Sequence, residues 1–197
     1  MRDPRRLVVP DGRVFLRVAE PEWADPLDAS YAAEAGGRWN PPASFPTLYL
    51  NGDVATARMQ VQRLAEGTPF TMDDLDDDAY VLVAATLPRG QSCADAVSAA
   101  GLGRLGLPAG YPVDEAGEPV GYERCQPIGA EVRARRVRGV WCISAATRDG
   151  VGRELAWFPA TARSRGRLVW DEALPLGRWR EATDWVDLGL APQPDPA

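Results

Sequence analysis

The chain has 197 residues, 45% of them hydrophobic and 25% charged, a balance that fits one globular domain with its own core. It contains no histidine and no lysine, so all 22 basic side chains are arginine, against 28 acidic ones. These absences exclude a His general base, a Ser-His-Asp triad, a lysine Schiff base and a Walker-type phosphate loop, and the net charge of -6 argues against general nucleic-acid binding.

Residues 1–12, with Pro4, Pro10 and Gly12, read as an N-terminal extension whose apolar run Leu7-Val8-Val9 is too short for a signal peptide. Strands are predicted at Arg13–Val18, Thr47–Leu50, Ala79–Leu87, Val137–Ile143, Glu154–Phe158 and Arg167–Trp170, where apolar residues alternate or β-branched ones cluster. A helix is predicted at Val54–Glu66. Val54, Ala57, Val61, Leu64 and Ala65 mark one face, Asp53 stands at the N-cap and Gly67 follows as a stop. Shorter helices are predicted at Asp95–Ala100 and Ile128–Arg136.

The acidic run Asp73–Asp78 lacks the Gly and Glu of a calcium loop and reads as a solvated turn. The clusters Arg133–Arg138 and Arg163–Arg167 lack interleaved aromatics and read as solvated faces or as a surface for an acidic partner. Cys93, Cys125 and Cys142 are odd in number and fit no zinc or disulfide framework, which predicts a reduced, cytoplasmic protein. No stretch approaches the ~20 apolar residues of a membrane span. Strands outnumber helices without alternating with them, so the expected fold is α+β, a single domain with twisted mixed or antiparallel sheets and few helices. The expected organisation is an extension (1–12), a domain (13–188) and a flexible Pro-rich tail (189–197).

Gly36-Gly37-Arg38-Trp39-Asn40-Pro41-Pro42 combines backbone freedom, a five-donor guanidinium, an indole and a proline-fixed asparagine. The run resembles the Gly-Gly-Arg-Trp-Asn-Pro-Pro signature of the RES domain family. Other features keep the family's order: Arg17 on an early strand, Tyr49 in Leu-Tyr-Leu, Thr56-Ala57 on the following helix, and Ser144 at the end of Val140–Ile143. Glu154–Pro159 resembles the family's closing strand.

The resemblance implies an ADP-ribosyltransferase-like fold and the toxin of a bacterial toxin–antitoxin pair. It also implies cleavage of the nicotinamide–ribose bond of NAD, by hydrolysis or phosphorolysis. NAD is then the substrate, with no cofactor and no metal. The implied protein partner is a helical antitoxin with an Xre-like part; no direct nucleic-acid or membrane contact is expected.

The candidate substrate-binding residues are Arg17, Gly37, Arg38, Trp39 and Asn40, and the candidate catalytic residues are Tyr49, Gln60 and Ser144. Arginine suits the pyrophosphate, and an aromatic ring suits the nicotinamide. The transition state is oxocarbenium-like, so a nearby carboxylate stabilises it. The family's glutamate falls at Gln60, which carries no charge. That departure keeps open a second reading, a catalytically impaired RES-like module that binds a nucleotide or a protein.

Overall fold

The computed structural model describes residues 2–64, 66–147 and 150–197. Nine strands form one sheet among these residues: β1 (Arg6–Val8), β2 (Val14–Ala19), β3 (Leu48–Asn51), β4 (Val81–Thr86), β5 (Ser92–Ala96), β6 (Gly139–Ile143), β7 (Arg153–Trp157), β8 (Arg167–Leu168) and β9 (Leu174–Pro175). The spatial order is β1-β5-β6-β7-β3-β2-β4-β8, with β9 also on β4. Only β5 and β6 run parallel; the other pairs are antiparallel. The architecture is therefore the expected α+β domain, with a single, mostly antiparallel sheet.

The helices are α1 (Ser30–Ala35), α2 (Val54–Leu64), α3 (Ala99–Leu105), α4 (Tyr122–Ala134) and α5 (Leu176–Trp179). Asp53 caps α2 by accepting the Thr56 N–H at 2.6 Å, as its sequence position predicts. Ala65, assigned to the apolar face of that helix, lies outside the described residues. The helix expected at Asp95–Ala100 begins later. Asp95 belongs to β5, and its Oδ1 accepts the Val97 and Ser98 N–H groups, each at 2.9 Å, before α3 starts at Ala99. The helix expected from Ile128 starts at Tyr122 and carries Pro127 and Gly129 inside it.

Strand alternation sends side chains to two faces. On one face Phe15, Leu48, Leu50, Trp141, Leu155 and Trp157 form a buried layer with Leu7 and Ala29. The other face is covered by two helical groups. Leu16, Val18 and Leu82 pack under α2 and α5, against Val61 and Trp179. Ala94, Val140, Cys142 and Ala156 pack under α3 and α4, against Leu102, Cys125 and Val132. One row of register partners crosses this second face: Leu16, Asn51, Glu154, Cys142 and Ala96. Its ends are apolar or small and lie under helices; its middle, Asn51 and Glu154, is polar.

The sheet is also weakest there. β2 and β3 pair at one position, Leu16 with Asn51, whereas β2 and β4 pair at six. Continuing that register would set Val18 against Tyr49, so the two strands part beside Arg17 and Tyr49.

The ends of the chain depart from the expectation of loose extensions. Residues 6–8 are a strand of the sheet. Val8 and Ala197 exchange backbone hydrogen bonds at 2.7 and 3.2 Å. The Gln193 side chain accepts the Val14 N–H at 2.8 Å, and Asp195 pairs with Arg13 at 3.3 Å. The Pro-rich tail is thus held by the Val8 and Val14 N–H groups and by the buried Arg13 cation. No helix among the described residues is long and apolar enough to cross a membrane.

Candidate active site

A cleft of about 510 Å³ opens where β2 and β3 part, between the two helical groups. Its lining includes Arg17, Trp23, Gly37, Arg38, Tyr49, Gln60, Arg63, Tyr122 and Glu154.

The glycine-rich signature is a tight turn, closed by Gly37 N–H to Asn40 O at 2.9 Å. Gly37 packs flat on Tyr49: a Cβ there would stand 2.5 Å from the Tyr49 hydroxyl. Helix α4 holds the turn from outside, with Gln126 Nε2 donating to Gly37 O at 3.0 Å. The turn aims Arg38 along the cleft, where Nη1 donates to Val120 O at 2.6 Å and the guanidinium lies over the Tyr122 ring at 5.2 Å.

Trp39 and Asn40, expected to touch the substrate, do not reach the cleft. Trp39 is buried among Tyr111, Val132 and Val140, because an indole in this turn gains more from the core than from water. Asn40 is fully buried, donating through Nδ2 to the carbonyls of Ala32 and Phe45. Its Oδ1 accepts the Tyr49 hydroxyl at 2.8 Å. Both residues brace the loop from behind.

Tyr49 presents its ring to the cleft while its hydroxyl is committed to the loop, accepting the Trp39 N–H at 2.9 Å and donating to Asn40. Burial raises its pKa, which keeps the phenol protonated as that donation requires. What remains for a ligand is the aromatic face.

Arg17 reaches the cleft from the opposite wall. Its guanidinium lies 5.4 Å over Trp23, and Nη2 makes a long 3.4 Å contact with Asp28 O. Nη1 is buried without a hydrogen-bond partner. Burial pulls its pKa down to about 10, with Asp28 and Asp25 opposing the shift, so it stays charged at neutral pH. A buried, charged, half-satisfied fork is a site for an anion.

Gln60, on α2, also faces the cleft, but its Oε1 accepts Asn51 Nδ2 at 2.8 Å. Ser144 is buried at the end of β6, where its Oγ accepts the Ala146 N–H at 3.1 Å. It does not line the cleft, but its hydroxyl favours the ionised form of the Glu154 carboxylate, which does. Glu66 and Asp53, the carboxylates that flank α2 in sequence, are placed elsewhere. Glu66 pairs with Arg63 at 3.9 Å beside an adjoining pocket of about 380 Å³, and Asp53 caps α2.

Sequence reasoning missed Glu154, Arg63, Tyr122 and Trp23 as site residues. For Glu154 a sign was present: a carboxylate that opens the apolar run Leu155–Phe158 has to be explained by partners or by function. Burial raises its pKa, while Ser144, Arg38 and Arg63 favour the ionised form and Asp53 opposes it.

Comparison with known proteins gives three findings. The RES domain family matches residues 14–177. Over 58 residues the chain is 36% identical to the NAD(+) phosphorylase MbcT of Mycobacterium tuberculosis and of Mycobacterium bovis, a segment covering 29% of this chain and 31% of the relative. The match therefore spans about a third of the length of these curated relatives. The crystal structure of the M. tuberculosis MbcT–MbcA toxin–antitoxin complex superposes with a TM-score of 0.70 at 22% identity, covering 89% of this chain and 91% of that one. That likeness is one of fold, and the family match covers most of the chain: the protein belongs to the RES domain family.

Proposed function

We propose that this protein cleaves the nicotinamide–ribose bond of NAD, with water or inorganic phosphate as acceptor, as the toxin of a toxin–antitoxin pair. The observation that carries the reading is the cleft itself: Arg17 with an unpartnered buried Nη1 on one wall, Arg38 on the other and the Tyr49 ring between them. Two arginines suit a pyrophosphate and an exposed ring face suits nicotinamide. The mycobacterial relative is named for NAD(+) phosphorolysis, which supports the choice of substrate. Nicotinamide leaves as a neutral molecule, so no His or Lys acid is required.

Residues 13–188 form the proposed functional unit, acting in the cytoplasm, where NAD is available. The exposed Trp23, Tyr31, Leu64 and Tyr122 at the rim supply an apolar surface for an antitoxin with an Xre-like part. Incubating the purified chain with NAD, with and without phosphate, and following nicotinamide tests the activity. Release in either condition is expected; no release in both defeats the reading.

The second reading, an impaired binding module, is favoured by Gln60, whose oxygen is already held by Asn51. It requires tight binding of ADP-ribose, measured by calorimetry, without turnover of NAD.

A further inference from the structure

The glycosidic step places one demand on the cleft that Gln60 does not meet. The C1′–N bond breaks with both electrons leaving on the nicotinamide nitrogen, and positive charge develops on the ribose. The acceptor oxygen then gives an electron pair to C1′; when the acceptor is water, one proton must also be removed. Three arginines, Arg17, Arg38 and Arg63, line the cleft and oppose the developing cation. Gln60 cannot balance them. It is neutral, and its oxygen already accepts from Asn51.

Glu154 is the sole carboxylate among the described residues that line the cleft. It stands opposite Asn51 in the β3–β7 register, hence on the same face and in the adjacent row position. Asn51 thus lies between the two residues, bonded to Gln60 on the helix and paired with Glu154 on the strand. Ser144 stands two residues past Cys142, the β6 partner of Glu154, and its N–H donates to Gly152 O at 2.9 Å; Ser144, Arg38 and Arg63 all favour the ionised carboxylate.

We propose that Glu154 is the catalytic carboxylate of this chain: it stabilises the ribosyl cation and, in hydrolysis, takes the proton of the attacking water. Ser144 is then a positioning residue beside the carboxylate, and Gln60 is a strut that fixes Asn51. Phosphate brings its own anionic oxygen, so phosphorolysis uses Glu154 for stabilisation alone. This inference rests on the NAD-cleaving reading above and adds to it which residue carries the charge.

The test compares wild type with Glu154→Gln for nicotinamide release from NAD, alongside ADP-ribose binding and thermal melting of both proteins. The expected result is a fall in kcat of about 10²-fold or more, the scale for losing one preorganised stabilising group. KM and ADP-ribose affinity should stay within about threefold, and the loss should be larger with water than with phosphate as acceptor. An active wild type with an equally active E154Q overturns the role of Glu154 and leaves the NAD reading standing. An inactive wild type overturns both.

Should E154Q fail to fold or to bind ADP-ribose, the pH profile of wild-type kcat decides. The groups acting on Glu154 are Ser144, Arg38, Arg63 and Asp53. A one-proton loss of kcat toward acid supports the assignment; a kcat flat from about pH 4 to 8, across the range where a perturbed carboxylate titrates, overturns it.

Discussion

At the scale of single residues, Glu154 is a liability to folding. Burial raises its pKa above the ordinary carboxylate value, so the folded protein holds the proton at pH values where the unfolded chain has released it. Through that window the native state binds more protons than the unfolded one, and stability falls as pH rises. The contribution is fully present below the unfolded value and is lost above the folded one. Replacing Glu154 by Gln removes the loss: E154Q is expected to melt higher than wild type at about pH 8, with the advantage closing below about pH 4. Differential scanning calorimetry across that range checks it, and a lower melting temperature for E154Q at pH 8 counts against it. A charged group that costs stability inside a cleft is a common mark of a working site. Tyr49 shows the opposite economy, since its hydroxyl serves the loop while its ring stays free for a ligand.

At the scale of elements, α4 and the signature turn form one unit. A Cβ on Gly129 would stand 1.8 Å from the Trp39 carbonyl oxygen, so helix and turn touch backbone to backbone. Helix propensity alone favours Gly129→Ala by roughly 1 kcal/mol. The contact reverses the sign: a loss of about 3 kcal/mol is expected, read by urea denaturation, with Arg38 displaced from the cleft as the loop gives way.

The same contact explains why the sequence concealed the start of α4. Pro127 and Gly129 weaken it locally, and tertiary packing overrides them. The strands β4 and β6 were legible because their apolar runs are long and carry β-branched valines and isoleucine. The strand β5 was not, because Ser-Cys-Ala-Asp-Ala has no strand-forming residue and is a strand by location alone. Arg38 and Tyr49 were legible through a contiguous motif and a short spacing. Glu154 was not, because it meets Asn51 only through a register between strands a hundred residues apart in sequence.

At the scale of the whole molecule, the tail closes the fold around one buried cation. The Arg13 side chain is 1% exposed and lies 5.0 Å over both Phe15 and Trp141. Nη2 bonds Gly52 O and Asp195, while Nε and Nη1 are buried without hydrogen-bond partners. Burial lowers its pKa, and Asp195 opposes the shift. Asp195 is itself 62% exposed, so the pair is only partly desolvated. Asp195→Ala is expected to lower stability by about 1–3 kcal/mol by leaving the guanidinium poorly satisfied. Equilibrium denaturation reads this, and a loss below about 0.5 kcal/mol, the usual range for an ordinary surface substitution, shows the tail to be ornamental.

The pairing of Val8 with Ala197 also bears on the order in which the chain is written. Val8 and Ala197 lie side by side, so a linker of about six residues, long enough to run back past residues 2–7, joins residue 197 to residue 2 without displacing a strand. The fold joined in this way is a closed ring. An opening in another exposed turn, away from the cleft, describes the same molecule with its halves exchanged.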